Sequence, residues 1–399
     1  MKIAIVSDFF YPELSGVTDS ISLLGKALGE RGHQVLFLAP WYTKKDYEIA
    51  RPGKSAADLG GNVSIKRLPA IRHPMSPTRQ GRIALPIGKG LLDLYTFKPD
   101  VVYTHSIYGP GIEALIYSKL RRTPLVGTNH TPVSEFLPGV PRILVRAILR
   151  YTSWYYNKCS FVSAPCKTLL DEMMDFGFKK NAGAIANPVD LLHFSPAKDE
   201  KEKKSHKIFF GLTSHTVLYT GRLGGEKKID VIIRALAITQ KTIPDISLAI
   251  TGHGSAEDGL RKPAESLGIS AKVKFLGFVD EAVYPNIYKG SDIFVIMSTA
   301  ETQSLSLMQA MASGLPTIGA RAWGLPEYIE TKGEHPSGIV LEPGDVEGLA
   351  ETLVSLFKNQ AHMKSLGEGG IEAVKKYAPE AIVKRWEDIF TAAVLNLNK

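Results

Sequence analysis

The segment TGRLGGEKKID (220–230) sets Arg222 and Lys227 five residues apart around Gly224 and Gly225. Glycines let a chain bend sharply, so both cations can face one point, which suits a diphosphate whose charge grows as it departs. Two solvated surface charges are the plain alternative. A second segment, STAETQSLSLMQAMASGLP (298–316), carries Glu301 after an apolar run, then Thr302, Gln303, Ser304 and Leu305 where a helix opens. Free N–H groups at a helix start can hold phosphate oxygens. Gln309 lies eight residues beyond Glu301, roughly 12 Å along a helix, so the two side chains could meet different parts of one extended ligand. A capping carboxylate and an exposed helical amide are the alternatives here. In SDFFYPELSGV (7–17), Gly16 precedes a helix and could bring bare backbone to a phosphate or merely make a turn.

Two histidines also follow apolar runs. His105 comes after DVVYT and His130 lies in TNHTPVSEF. One such histidine is usually structural, whereas two at successive strand ends point to a site. Residues 139–158, GVPRILVRAILRYTSWYYNK, put Arg142, Arg146 and Arg150 at i, i+4 and i+8 beside Ile143, Leu144, Tyr151 and Trp154. A basic amphipathic helix with aromatic residues suits an anionic membrane interface. A partly buried helix with solvated arginines is the competing reading.

The elements that must carry these residues follow from apolar periodicity. Short apolar runs at Ile3 to Val6, Val35 to Ala39, Val101 to Tyr103 and Leu125 to Val126 alternate with segments of helical period such as Val17 to Gly29. The second half repeats the pattern with Thr216 to Thr220, Ile246 to Thr251, Val273 to Phe275, Ile293 to Met297 and Pro316 to Gly319. The class is therefore α/β, with two doubly wound parallel sheets, and the loops after the strands are where ligands should bind. The charged run PAKDEKEKKSHK (196–207) reads as a solvated connection or hinge, and residues 379–396 as a final helix begun by Pro379. The expected domains are 1–192 with 379–396, and 193–378.

Composition narrows the function classes. The chain has 399 residues, 44% hydrophobic and 22% charged, as in an ordinary globular protein of two or three domains. Two cysteines, Cys159 and Cys166, are too few for a disulfide scaffold or a cysteine zinc site, and a reducing cytoplasmic setting is expected. The apolar run before Asp8 is too short for a signal-peptide core or a membrane span. Net charge is +8, carried by the first half: residues 1–190 are at +9, and residues 51–150 alone hold 15 basic against 5 acidic side chains. That excess draws anionic surfaces or substrates. A nucleic-acid partner is not expected, because no aromatic-basic platform, zinc finger or helix-turn-helix accompanies the charge.

The segments SGV (15–17), NPVDLLHF (187–194), GRLGGEK (221–227), TGHGS (251–255), VKFLGFV (273–279) and ETQSLSLMQAMASGLP (301–316) stand in one order along the chain. This set resembles the retaining nucleotide-sugar glycosyltransferases of family 4. The resemblance implies the GT-B fold, two facing doubly wound domains with a cleft between them and a final helix crossing back to the first. It places Gly16, Arg222 and Lys227 on the donor diphosphate, Glu301 on donor sugar hydroxyls, and Thr302, Gln303, Ser304 and Leu305 with them. His253 of TGHGS joins the donor set, and Phe278 and Val279 end the stretch that lines the base pocket. Gln309 stands where the family's second Glu meets the ribose. An amide offers one acceptor and one donor where a carboxylate accepts twice, so that contact is altered. His105 falls near the donor sugar and reacting centre. His130, also grouped with the donor residues, resembles a histidine on the acceptor side.

The implied reaction moves a hexose from a nucleoside diphosphate, UDP-glucose being favoured, to a hydroxyl with the anomeric configuration kept. Arg222, Lys227, Glu301 and His105 form the catalytic set. No cofactor is expected, and no metal, because no Asp-x-Asp pair is present. The basic first half and the Arg142 segment favour a lipid acceptor such as diacylglycerol, as in the bacterial diacylglycerol glucosyltransferase branch. The enzyme would then be peripheral on the inner face of the cell membrane. A GDP-mannose or UDP-GlcNAc enzyme acting on another lipid or a polyol, a sugar-nucleotide epimerase, and an inactive nucleotide-sugar-binding protein are the alternatives. Oligomeric state is left open.

Overall fold

The computed structural model describes residues 1–51, 54, 56–73, 80–136 and 140–397. Gly139, at the start of the expected docking segment, lies outside the described residues. The chain forms two compact units, Met1–Pro188 with Pro379–Lys399, and Val189–Ala378. The division falls before residue 192 because the Val189 N–H already donates to the Tyr377 carbonyl (2.9 Å), inside the second unit.

In the first unit the strands are β1 (Lys2–Val6), β2 (Gln34–Pro40), β3 (Val63–Leu68), β6 (Val101–Thr104), β7 (Leu125–Thr128), β8 (Phe161–Ala164) and β9 (Ala182–Ala184), with a hairpin of β4 (Ala70–Arg72) and β5 (Arg82–Ala84) beside them. Among the described residues the main sheet is parallel, in the order β3-β2-β1-β6-β7-β8-β9. Central strands are apolar throughout because helices cover both faces, so Ile3 to Val6 and Val101 to Tyr103 are all buried. The weakly patterned strands VSIKRL and AGA lie at the two edges, where fewer neighbours demand an apolar run. The chain winds from β1 outward to β3 and returns to β6 on the other side of β1. The strand order therefore reverses between β1 and β6.

The second unit holds β10 (His215–Thr220), β11 (Ile246–Thr251), β12 (Val273–Gly277), β13 (Ile293–Ile296), β14 (Thr317–Ala320) and β15 (Gly338–Leu341), parallel in the order β12-β11-β10-β13-β14-β15. Its reversal lies between β10 and β13. Such reversals open a crevice at the carboxyl ends of the strands, the usual ligand position in open α/β sheets.

The C-terminal helix Pro379–Leu397 belongs to the first unit, with Trp386 and Phe390 buried against Tyr103 of β6. One expectation needs correction: the charged run 196–207 is not a solvated hinge. Asp199 caps a helix, Glu200–Phe209, by accepting from the Glu202 N–H. Its Lys203 (2.7 Å) and Lys207 both reach the carboxylate of Asp292, which is buried just before β13 and also accepts from the Thr216 N–H. Two lysines one turn apart meeting one buried carboxylate turn a hydrophilic sequence into a docked helix.

Candidate functional site

In the second unit the loops after β10 and β13 meet across the reversal. Gly252 has φ of +108°, and a Cβ there would lie 2.1 Å from the Gly221 carbonyl oxygen, so the loop after β11 presses backbone to backbone on the loop after β10. This shapes the short turn Gly225–Lys227 and delivers Lys227 to Glu301, its Nζ 2.6 Å from Oε1. The two side chains are only 11% and 14% exposed. Arg222 pairs instead with Glu226 one turn on, while the Glu226 carbonyl accepts from the Thr299 N–H (3.0 Å) and ties the two loops together. Tyr219 supports the turn, its hydroxyl donating to the Arg222 carbonyl (3.0 Å).

Beyond Glu301, Ser304 caps the helix Leu305–Ala312 by accepting from the Leu307 N–H, and Thr302 and Gln303 are buried beneath that end. The Gly324 N–H donates to the Glu301 carbonyl (2.8 Å), and a Cβ on Gly324 would meet the Thr302 oxygen at 2.2 Å. Gly324 had no sequence signal. Gln309 is neither exposed nor free: its Oε1 accepts from the Tyr288 hydroxyl (2.9 Å), which also meets Thr220 Oγ1 at 2.7 Å. His253 stands after β11 with Nδ1 toward Glu257 (3.2 Å) and Nε2 accepting from the Phe278 N–H (3.1 Å), which fixes the loop that bears Phe278 and Val279.

In the first unit the reversal is flanked by Asp8 after β1 and His105 after β6. Nδ1 of His105 lies 2.8 Å from Nε2 of His130, and the rings stack at 5.0 Å. Burial lowers the pKa of His130 to about 4 and holds that of His105 well below the usual imidazole value, with repulsion from His130 adding to the latter. Both rings are therefore neutral at pH 7. Hydroxyls of Tyr103, Thr128 and Ser163 link β6, β7 and β8 behind the pair, at 2.6 Å each. Gly16 is the exposed first residue of the helix Gly16–Glu30, which Ser15 caps.

Asp8 and Ser106, hydrogen-bonded across the reversal, were not found in the sequence. Their signal was available: both are polar residues close behind buried apolar runs. Burial raises the Asp8 carboxyl pKa to about 6, against an opposing effect of the Ser106 hydrogen bond. The folded protein thus keeps a proton that the unfolded chain, near 3.8, has released. Its stability falls as pH rises between these values, and the penalty is complete above the upper one. Asp8→Asn is expected to remove that penalty, raising the thermal midpoint at pH 8 while leaving it unchanged near pH 3. Parallel unfolding curves of parent and variant with the same difference at every pH would refute this.

Arg142, Arg146, Arg150 and Trp154 lie on the helix Arg142–Tyr156. All three arginines are exposed, as are Ile143 (76%), Leu144 (53%) and Trp154 (47%). The Tyr151 hydroxyl donates to the Ile107 carbonyl (2.6 Å), just past the end of β6. No helix among the described residues is long and apolar enough to cross a membrane, and none of their His, Cys, Asp or Glu side chains cluster in threes that could hold a metal ion.

Two doubly wound sheets, each with polar loops converging at its strand reversal, and a last helix returned to the first unit define the GT-B fold. Residues 14–192 match the family model described as Glycosyltransferase Family 4, and residues 200–373 match that of Glycosyl transferases group 1. The chain belongs to the family 4 glycosyltransferases. It is 24% identical to the alpha-monoglucosyldiacylglycerol synthase of Acholeplasma laidlawii, covering 100% of this chain and 99% of that one. With the enzyme of the same description from Streptococcus pneumoniae it shares 25% identity, over 86% and 78% of the two chains. The crystal structure of HepE from Anabaena in complex with UDP-glucose has the same fold, with TM-score 0.76, 18% identity, and 98% and 100% of the chains covered.

Proposed function

We propose that this glycosyltransferase moves a hexose, glucose in the favoured case, from a nucleoside diphosphate to the hydroxyl of a membrane lipid such as diacylglycerol, with retention. The observation that carries the lipid reading is the Arg142 helix, whose first turn exposes Ile143 and Leu144 beside a stripe of three exposed cations. Such a helix binds an anionic leaflet through apolar burial and charge together. Two relatives of this chain, one of them matched over nearly the whole of both chains, are alpha-monoglucosyldiacylglycerol synthases by description, which agrees with this reading.

On the donor side, Lys227, Arg222 and the amides from Thr302 to Leu305 receive the diphosphate, and Glu301 accepts from sugar hydroxyls. His253, Phe278 and Val279 shape the base end. Gly16 offers bare backbone and helix amides to phosphate, and His105 and His130 face the sugar and acceptor. The bond between the anomeric carbon and the diphosphate oxygen breaks, its electron pair leaving with the diphosphate. The acceptor oxygen joins the carbon from the same face, and its proton passes to the departing phosphate. Cations and helix amides stabilise the charge that develops on the leaving group.

Gln309 presents its amide N–H groups to the ribose, because Oε1 is taken by Tyr288. Gln309→Glu is expected to lower the donor KM about threefold by restoring a second acceptor, with kcat little changed. An unchanged KM would exclude the ribose contact. The function itself is tested by offering UDP-glucose, UDP-GlcNAc and GDP-mannose with vesicles of anionic phospholipid and diacylglycerol, followed by mass spectrometry and anomer analysis of the lipid fraction. An α-hexosyl lipid formed from UDP-glucose is expected. A β-anomer, or no hexosyl lipid from any donor, would overturn the proposal.

A further inference from the structure

The two cations read as diphosphate ligands do not meet their carboxylates alike. Lys227 reaches across the strand reversal to Glu301, and both side chains are largely buried, at 11% and 14% exposed. Arg222 turns back to Glu226 on its own loop, and these two are more open, at 23% and 21%. The second pair also lies against Gly224, whose backbone is ordinary and extended (φ −109°), so no turn demands a glycine there. A Cβ at this position would strike Nη1 of Arg222 (2.6 Å) and both carboxylate oxygens of Glu226. The missing side chain makes room for guanidinium and carboxylate to lie together.

Side-chain rotation alone can open this contact. The Glu226 backbone is fixed, because its carbonyl accepts from the Thr299 N–H (3.0 Å), and the Tyr219 hydroxyl holds the Arg222 carbonyl (3.0 Å). Only two flexible side chains need move. Carboxylate and phosphate oxygens suit the same planar guanidinium fork, so Glu226 and a diphosphate compete for one set of donors. A carboxylate left in place beside a diphosphate would also repel it.

We propose, resting on the reading of Arg222 as a diphosphate ligand, that Glu226 is an internal stand-in for the donor diphosphate. Its carboxylate yields the guanidinium when the donor enters and takes it back when the nucleoside diphosphate leaves. Glu226 is thus a positioning residue that acts through Arg222. It lowers the affinity for donor and product alike, which favours release of the product.

The test is a double-mutant cycle on Arg222 and Glu226 in the full-length protein, with UDP binding measured by titration calorimetry. Glu226→Gln keeps the shape of the side chain and removes its charge. It is expected to tighten UDP about fivefold, the size expected for one partly exposed ion pair, and to lower the donor KM by the same factor. In Arg222→Ala, which itself binds UDP more weakly than the parent, the same substitution should gain less than about twofold. Weaker UDP binding in Glu226→Gln would overturn the stand-in role, since Glu226 would then be holding Arg222 in place for the ligand. An equal gain in both backgrounds would overturn it too, because plain repulsion needs no exchange of partners. UDP binding that ignores Arg222→Ala would overturn the reading of Arg222 and the exchange with it. GDP replaces UDP as the probe if the parent binds only GDP, and a parent that binds neither overturns the proposed function itself.

Discussion

Lys227→Ala is expected to lower turnover about 100- to 1,000-fold, the usual cost of removing one group that stabilises developing transition-state charge. The Lys227 ammonium is largely buried and reaches Glu301 across the strand reversal of the second unit. On the proposed function the substitution removes a charge that stabilises the leaving diphosphate, and it also leaves Glu301 without its cation. The first effect lowers kcat, and the second disturbs the sugar contact. Arg222→Ala separates the two, because Arg222 pairs with Glu226 rather than Glu301. It should lower turnover by a similar order while sparing the Glu301 position. Steady-state kinetics with circular dichroism as the folding check decide the matter. Unchanged turnover in both variants would remove leaving-group stabilisation from these cations.

Replacing Arg142, Arg146 and Arg150 together by Ala should weaken binding to anionic vesicles about 150-fold at low salt. Each cation near such a surface contributes about 1 kcal/mol, and three act on one exposed stripe. Replacement of all three by Lys should retain most of the affinity, since the attraction is to charge rather than to bidentate geometry. Donor binding should be unaffected by either change, because the residues proposed to hold the donor lie on other elements. The measurement is vesicle co-sedimentation at several salt concentrations. Affinity that ignores both the three arginines and salt would exclude this helix as the docking element.

The alternation of apolar runs with helical segments was enough to read two doubly wound sheets, because a strand covered on both faces must be apolar along its length. The loops that carry the motifs were legible for a related reason: glycines and cations at strand ends interrupt that apolar pattern. The helix Glu200–Phe209 was misread because its anchor, Asp292, lies far along the chain, and a lysine paired with a distant carboxylate looks like any solvated lysine. The pairing of Asp8 with Ser106, and that of Gln309 with Tyr288, was invisible for the same reason, since the first two residues are 98 apart and the second two 21.

From its own order of residues this chain determined its architecture and its family. Tertiary structure alone decided the partners: Lys227 meets Glu301 from 74 residues away, Arg222 keeps to Glu226 four residues on, and His105 hydrogen-bonds to His130. Periodic burial is written locally and can be read locally. Hydrogen bonds and ion pairs between loops depend on where the strands return, and the folded sheets set that.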